Sequence, residues 1–276
     1  MKSNPVALVT GATSGIGEAT AHRLHDRGYT VFAAGRNPEA LNALRSRGLA
    51  ARSLDVTDQG AVDQLVEEIN AEHGGVDVLV NSAGYPLPRP LEQVELSELR
   101  HLFETNVVAT LHLSQAVLPT MRAQGYGRIV TIGSTGGRFT SPGAGAYHIV
   151  KYAIEALSLS MGAEVAPFGV RVVLIDPTGV RTPFVSSQFE TEHSYPADDP
   201  YGDFKVRYSE TTRRLATAKG LTVSADTVAR AVGRVVRAKN PKPRYIVGAS
   251  GKATVFARAL LSDRMWDRVM MIGMRG

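Results

Sequence analysis

Four short strand-like runs, Val6 to Thr10, Thr30 to Gly35, Ala50 to Asp55 and Val76 to Val80, alternate with three stretches of helical spacing. Those stretches are Glu18 to Arg27, Pro38 to Arg47 and Asp58 to His73. No other feature constrains the chain as strongly. Strands joined through helices run parallel, their crossovers are right-handed, and the helices cover both faces of the sheet. Pro38 is pre-set for a first helical turn. Val62, Leu65, Val66 and Ile69 place an apolar stripe on the third helix. Beyond the Pro-rich loop Tyr85 to Pro90, helices are expected over Ser97 to Val108 and Leu111 to Gln124, and a strand over Ile129 to Ile132. A helix over Ala146 to Ala166, a sixth strand over Gly169 to Ile175, a helix over Ala225 to Ala238 and a seventh strand over Arg244 to Val247 complete the pattern. The 276 residues are expected to form one domain around one large core.

Composition narrows the function by exclusion. The chain has no cysteine, so disulfides and thiolate metal sites are ruled out, and a reducing compartment fits. Among seven histidines, His22 and His25 are three apart, which reads as an exposed helix face; no metal site is expected. The net charge is +5 and the pI about 9.5, yet no run of five or six Lys/Arg occurs, so nucleic acid is not an expected partner. No stretch reaches the ~18 apolar residues that span a bilayer. A strand beginning by Val6 leaves no room for a signal peptide, so a cytoplasmic protein is expected.

The chemistry is expected at two places. The first strand runs into Thr10–Gly17, TGATSGIG, and then into a helix. Gly11, Gly15 and Gly17 let the backbone approach a pyrophosphate, which the helix amides and dipole then face, and Thr13, Ser14 and Ile16 lie in the same loop. At the end of the second strand stands Arg36, with no Asp or Glu between Asp26 and Glu39. An acid near this point would bind a ribose 2′-hydroxyl; an Arg accommodates a 2′-phosphate, so NADP(H) is the expected cofactor. The second place is the strand Ile129 to Ile132, which leads to Ser134, and the helix after it, which carries Tyr147 and Lys151 four apart on one face. A hydroxyl at a strand end beside a Tyr–Lys pair is a site for proton transfer. Asn106 interrupts an apolar patch and needs partners, as a structural bridge or within a polar relay.

These pieces together resemble the short-chain dehydrogenase/reductase family in its single-domain form. The matches are TGATSGIG (Thr10 to Gly17), NSAG (Asn81 to Gly84), Asn106, Ser134 and the Tyr147-x-x-x-Lys151 pair, in the family's order. The resemblance implies a Rossmann-type doubly wound parallel sheet of about seven strands. It implies Tyr147 as general acid/base, Ser134 on the substrate oxygen, and Lys151 on the nicotinamide ribose while lowering the Tyr147 pKa. Asn106 would hold a water of the proton relay. Asp55 and Val56 would border the adenine, Asn81, Ala83 and Gly84 would line the cofactor cleft, and Pro177, Val180 and Thr182 would meet the nicotinamide end. Asp176 is expected to be a loop residue. Two positions depart from the family pattern: Thr178 follows Pro177 where Gly is usual, and Val150 precedes the Lys where Ser is common.

The C-terminal third should set the substrate. Residues 183–220 read as a long irregular lid, with Phe184, Phe189, Tyr195, Tyr201, Phe204 and Tyr208 lining an apolar pocket or packing the lid down. Residues 251–276 read as an amphipathic extension, with Arg264 and Arg268 on one face and Leu261, Met265 and Val269 on another. It would pack over the lid, against another subunit of a homodimer or homotetramer, or peripherally on a membrane. The lid, the PKPRYIVG stretch and this tail resemble the branch of 17β-hydroxysteroid and retinol dehydrogenases. An NADP(H)-dependent oxidoreductase acting on a carbonyl or alcohol of a fairly apolar small molecule is therefore expected. The alternatives are a ketoacyl-thioester or polyketide reductase and a non-catalytic NADP-binding sensor.

Overall fold

The computed structural model of the chain describes residues 4–181, 196, 198–218 and 220–273. In chain order the elements are β1 (Val6–Thr10), α1 (Gly15–His25), β2 (Thr30–Gly35), α2 (Pro38–Ser46), β3 (Ala50–Ser53), α3 (Gln59–His73), β4 (Val78–Asn81), α4 (Leu96–Phe103), α5 (Ala109–Ala123) and β5 (Gly127–Ile132). There follow α6 (Gly145–Val165), β6 (Val170–Pro177), β7 (Val180–Arg181), α7 (Gly202–Thr217), β8 (Val223–Ser224), α8 (Ala225–Arg237), β9 (Arg244–Val247), α9 (Ala249–Leu260) and α10 (Asp263–Gly273).

Seven strands form one sheet in the order β3-β2-β1-β4-β5-β6-β9, every pair parallel. This is the expected doubly wound sheet. Alternate residues of each strand feed opposite faces. Val9, Val31, Val80, Val130 and Val173 meet Leu24 of α1, Leu41 of α2 and Val232 of α8. Leu8, Phe32, Leu79, Ile129 and Val172 meet Ile69 of α3, Leu113 of α5 and Met161 of α6. Both faces are dry, so the strands are apolar throughout rather than alternating with polar residues. The strand order reverses between β1 and β4, and a crevice opens outside the carboxyl ends of the strands there.

Helix ends follow local chemistry. Asn37 and Asp58 accept from the amides of Ala40 at 2.8 Å and Ala61 at 3.0 Å, and Gly74 closes α3 in the left-handed region at φ 71°. Three expectations are corrected. The helices expected over 97–108 and 111–124 form one continuous rod, joined by a π-helical turn, Glu104–Val108, whose extra residue turns Asn106 into the interior. Residues 202–217 of the expected irregular lid are a helix, whose apolar face is narrow and therefore weak in the sequence. The tail is two helices, since Leu261 takes an extended backbone between α9 and α10. Phe184, Phe189 and Tyr195 lie outside the described residues.

Candidate active site

The glycine loop is a cradle in which side chains have no room. Gly11 and Gly15 sit at φ 63° and 56°, a backbone conformation that L-residues with side chains rarely adopt. A Cβ on Gly11 would lie 2.9 Å from the Ala83 backbone, and one on Gly17 only 2.2 Å from the Gly11 carbonyl oxygen. Ser14 is the N-cap of α1 but makes no side-chain capping bond, so the first-turn amides point outward uncapped. Thr10 ties the cradle to β4: its Oγ1 accepts from the amides of Ser82 at 3.2 Å and Ala83 at 3.4 Å.

A cleft of about 670 Å³ runs from this cradle to the end of β5. Of the residues expected to meet the cofactor, Gly11, Thr13, Ser14, Gly15, Ile16, Arg36, Asp55, Val56, Ala83, Gly84, Pro177 and Val180 line it, together with Ser134, Tyr147 and Lys151. Three expected residues do not. Gly17 is buried beneath the loop, against Gly11. Asn81 turns away, its amide Nδ2 donating to Ser114 Oγ at 3.4 Å. Asn106 lies one layer behind, its Nδ2 donating to the Leu102 carbonyl at 3.0 Å. Its Oδ1 is buried with no hydrogen-bond partner among the described residues, and a Cβ on Gly84 would come within 2.6 Å of it. Thr182 falls outside the described residues.

At the other end of the cleft, β5 delivers Ser134 and the first two turns of α6 deliver Tyr147 and Lys151. Ser134 Oγ accepts the Gly136 amide at 3.0 Å, which leaves its own hydrogen to donate, and it shares a hydrogen bond with the Tyr147 phenol. Lys151, 8% exposed, donates from Nζ to the Ile132 carbonyl at 3.2 Å and lies 5.6 Å from the Tyr147 ring centroid. Burial lowers the Lys151 ammonium to about 8. Burial also raises the Tyr147 phenol to about 12, against the Ser134 hydrogen bond and with the Asp176 and Tyr208 side chains adding to the rise. Desolvation leads that rise, so Tyr147 stands above its ordinary value here, opposite to the direction expected of a phenol with both the ammonium and an oxidised nicotinamide ring beside it. Asp176 is also corrected. It is a strand residue of β6, 1% exposed, rather than a loop residue.

Several residues of the site are invisible to sequence reading. Thr212 and Leu215 of α7, Leu221, and Ser250 and Thr254 of α9 wall the cleft. His148, next to Tyr147 in sequence, holds the loop before α6: its Nδ1 bonds the Gly136 carbonyl at 2.7 Å and its Nε2 accepts the Ser141 amide at 3.0 Å. Trp266 of α10, 4% exposed, donates from Nε1 to the Thr140 carbonyl at 3.0 Å and packs against Phe139 with ring centroids 5.5 Å apart and planes tilted by 58°. The tail therefore closes on the active-site loop. Among the described residues, no helix is long and apolar enough to cross a membrane.

Comparison with known proteins agrees with this geometry. The family model described as short chain dehydrogenase matches residues 5–193. An NADPH-dependent 3-dehydrocapnine reductase of Ornithobacterium rhinotracheale is 33% identical over 272 residues, covering 95% of this chain and 95% of that protein. The crystal structure of a short-chain dehydrogenase from Streptomyces avermitilis superposes with a TM-score of 0.80 at 33% identity, covering 98% of each chain. An actinorhodin polyketide ketoreductase with NADPH gives a TM-score of 0.77 at 30% identity, covering 91% of this chain and 98% of that one. A dinucleotide cradle, a cleft at the reversal of strand order and a Ser–Tyr–Lys cluster at its far end, matched by relatives along almost the whole chain, establish that this protein belongs to the short-chain dehydrogenase family.

Proposed function

We propose that this protein is an NADP(H)-dependent oxidoreductase that interconverts a carbonyl and an alcohol on a fairly apolar substrate, with Tyr147 as the acid/base. The observation that carries this reading is the convergence of Ser134, Tyr147 and Lys151 on one end of the cleft whose other end is the glycine cradle. The cofactor, when bound, supplies the hydride. The pyrophosphate fits the uncapped start of α1 over Gly11 and Gly15, where any side chain would clash. Arg36 stands at the adenosine end, its side chain 71% exposed and 3.4 Å from Asp55 in an ion pair that solvent weakens. Its guanidinium is therefore available to a 2′-phosphate. The NADPH dependence of the 3-dehydrocapnine reductase and the NADPH of the polyketide ketoreductase support the same cofactor.

The chain's own groups then handle the proton. A phenol at about 12 is protonated at neutral pH, so Tyr147 is set to give its proton to a carbonyl oxygen held beside it by the Ser134 hydroxyl. Lys151 is an ammonium at neutral pH; it anchors the ribose side and supports the phenolate left behind. The unpartnered Asn106 Oδ1 is the place for a water that returns the proton. Leu215, Ala216 and Leu221 give the substrate end an apolar wall. The lid and tail resemble those of the 17β-hydroxysteroid and retinol dehydrogenase branch, a likeness that does not itself identify the substrate. Likeness to the polyketide ketoreductase favours a second reading, reduction of a ketoacyl thioester or polyketide.

Both readings are tested by following NADPH consumption over ketones, aldehydes, steroids and ketoacyl thioesters. Tyr147→Phe is expected to lose on the order of 10²–10⁴-fold in turnover while binding NADPH as the parent does. Absence of turnover with every carbonyl, or an unchanged rate in the variant, overturns the proposal.

A further inference from the structure

At the edge of the sheet opposite Ser134, Tyr147 and Lys151 lies a second cavity, of about 390 Å³. It opens at the amino ends of β5 and β6, where the chain leaves α8. The length of β5, at ~3.3 Å per residue, sets it roughly 20 Å from Ser134. Arg128 of β5, Arg171 of β6, and Arg237 and Lys239 at and just beyond the end of α8 line it, with Tyr126 and Val236; no carboxylate does. None of the four cations has an ion-pair partner among the described residues. Asp77 takes the Arg128 amide on its backbone carbonyl at 3.0 Å. Its carboxylate accepts the Val6 amide at 2.8 Å and does not line the cavity.

Main-chain carbonyls engage part of this cationic cluster. Arg128, 5% exposed, donates from Nη1 to the Gly127 carbonyl at 2.9 Å and from Nη2 to the Ala238 carbonyl at 3.0 Å. Its guanidinium lies 4.8 Å from the Tyr126 ring centroid. Arg171 Nη1 donates to the Ala166 carbonyl at 2.9 Å, and Arg237 Nε to the Gly233 carbonyl at 3.3 Å. These bonds cover carbonyls at the ends of α6 and α8 that would otherwise repel an anion. They also leave donors over. Arg171 Nε and Nη2, Arg237 Nη1 and Nη2 and the Lys239 ammonium have no partner among the described residues, and Arg128 Nε is buried with none.

Like charges gathered in one recess repel, so the arrangement gains from an anion that bridges them. A guanidinium with two free N–H edges matches phosphate oxygens, and a phosphate dianion can be shared by several cations. The volume falls within the ~300–1,000 Å³ of small-molecule pockets, which leaves room for an organic group against Tyr126 and Val236. We infer that this recess binds the phosphate group of a small phosphorylated molecule, held between Arg171, Arg237 and Lys239 beside the buried Arg128. The site is separate from the cofactor cleft and does not depend on the role given to Tyr147.

Calorimetric titration of the full-length protein at constant ionic strength, with glycerol 3-phosphate and separately with inorganic phosphate, tests the inference. One saturable site is expected for glycerol 3-phosphate, at least as tight as that for inorganic phosphate. The isotherm should persist in saturating NADPH, which fills the glycine cradle, and in Arg36→Gln. Arg171→Gln and Arg237→Gln should each weaken binding about 10-fold or more, the scale of one charge-assisted hydrogen bond. Lys239→Gln, at an exposed side chain, should weaken it about 2- to 5-fold and keeps the test decisive should an arginine variant not fold. Binding of inorganic phosphate alone, binding that NADPH abolishes, binding that every folded variant of the recess leaves unchanged, or no saturable binding of either probe overturns the inference.

Discussion

Trp266 is the position at which one substitution should separate the tail from the catalytic core. It is the only tryptophan of the chain and the only fully buried side chain of α10 among the described residues. Phe256, Leu260, Met265 and Val269 of the same two helices are exposed, so they give the tail little hold of their own. A buried indole removes about 200 Å² from water, worth roughly 5 kcal/mol at ~25 cal/mol per Å² as an upper bound. Comparable truncations cost about 3–5 kcal/mol. That matches or exceeds what α10, with its one buried side chain, can hold. Trp266→Ala is therefore expected to undock α10 and to free Phe139 and Thr140, which the indole ring and its N–H hold in place. Trp266→Phe keeps an aromatic face and leaves the Thr140 carbonyl without its donor, a loss of about 1 kcal/mol, so the tail should stay docked. The assay is limited proteolysis of α10 alongside KM for a carbonyl substrate. The alanine variant should be cut in the tail and show a raised KM, with thermal unfolding of the sheet core little changed, and the phenylalanine variant should resemble the parent. Equal protease resistance and an unchanged KM in Trp266→Ala would refute the view that this ring couples tail and active-site loop.

Two further outcomes follow from the same geometry. Arg36→Asp should move preference from NADPH towards NADH by about 10–100-fold, the worth of one charge-assisted contact of about 1.5–3 kcal/mol; equal use of the two cofactors by the parent would contradict the role given to Arg36. Burial lowers His148 below its ordinary 6.5, and its two ring bonds fit the neutral form. The unfolded chain then takes up a proton that the folded chain refuses, so this stability is complete above about pH 6.5 and is lost as pH falls through the folded value. Melting temperature followed from pH 7.5 to 5 should fall more steeply in the parent than in His148→Gln, and parallel curves would contradict the assignment.

Much of the fold was legible because its signals are local. The alternation of strand and helix, the glycine loop and the Tyr147–Lys151 spacing each depend on a few adjacent residues, whose backbone and side-chain periods are set by steric rules. β1, β2 and β9 were read to the residue, and the other strands of the seven-stranded sheet and helices α1 to α6 and α8 to within a few positions, whereas α7, the short β7 and β8 and the break in the tail were not. Hidden were the features that need two distant segments side by side. Asn106 reads only as a polar interruption of an apolar patch, because a single extra residue in a rod leaves no pattern that a 3.6-residue period can show.

The substrate end was the least legible part for the same reason. Helix α7 presents little to the core, so its residues carry no strong apolar stripe, and Thr212 and Leu215 reach the cleft only through the way the helix is laid across it. Local chemistry in the sequence determined that this chain winds a parallel sheet, cradles a dinucleotide and sets a tyrosine one helical turn from a lysine. The tertiary structure alone decided that Asp176 meets Arg244 across the β6–β9 pairing and that Trp266 closes on Thr140 from 126 residues away. Those contacts come from strand register and helix docking, which depend on the whole packed sheet and are written in no short stretch of residues.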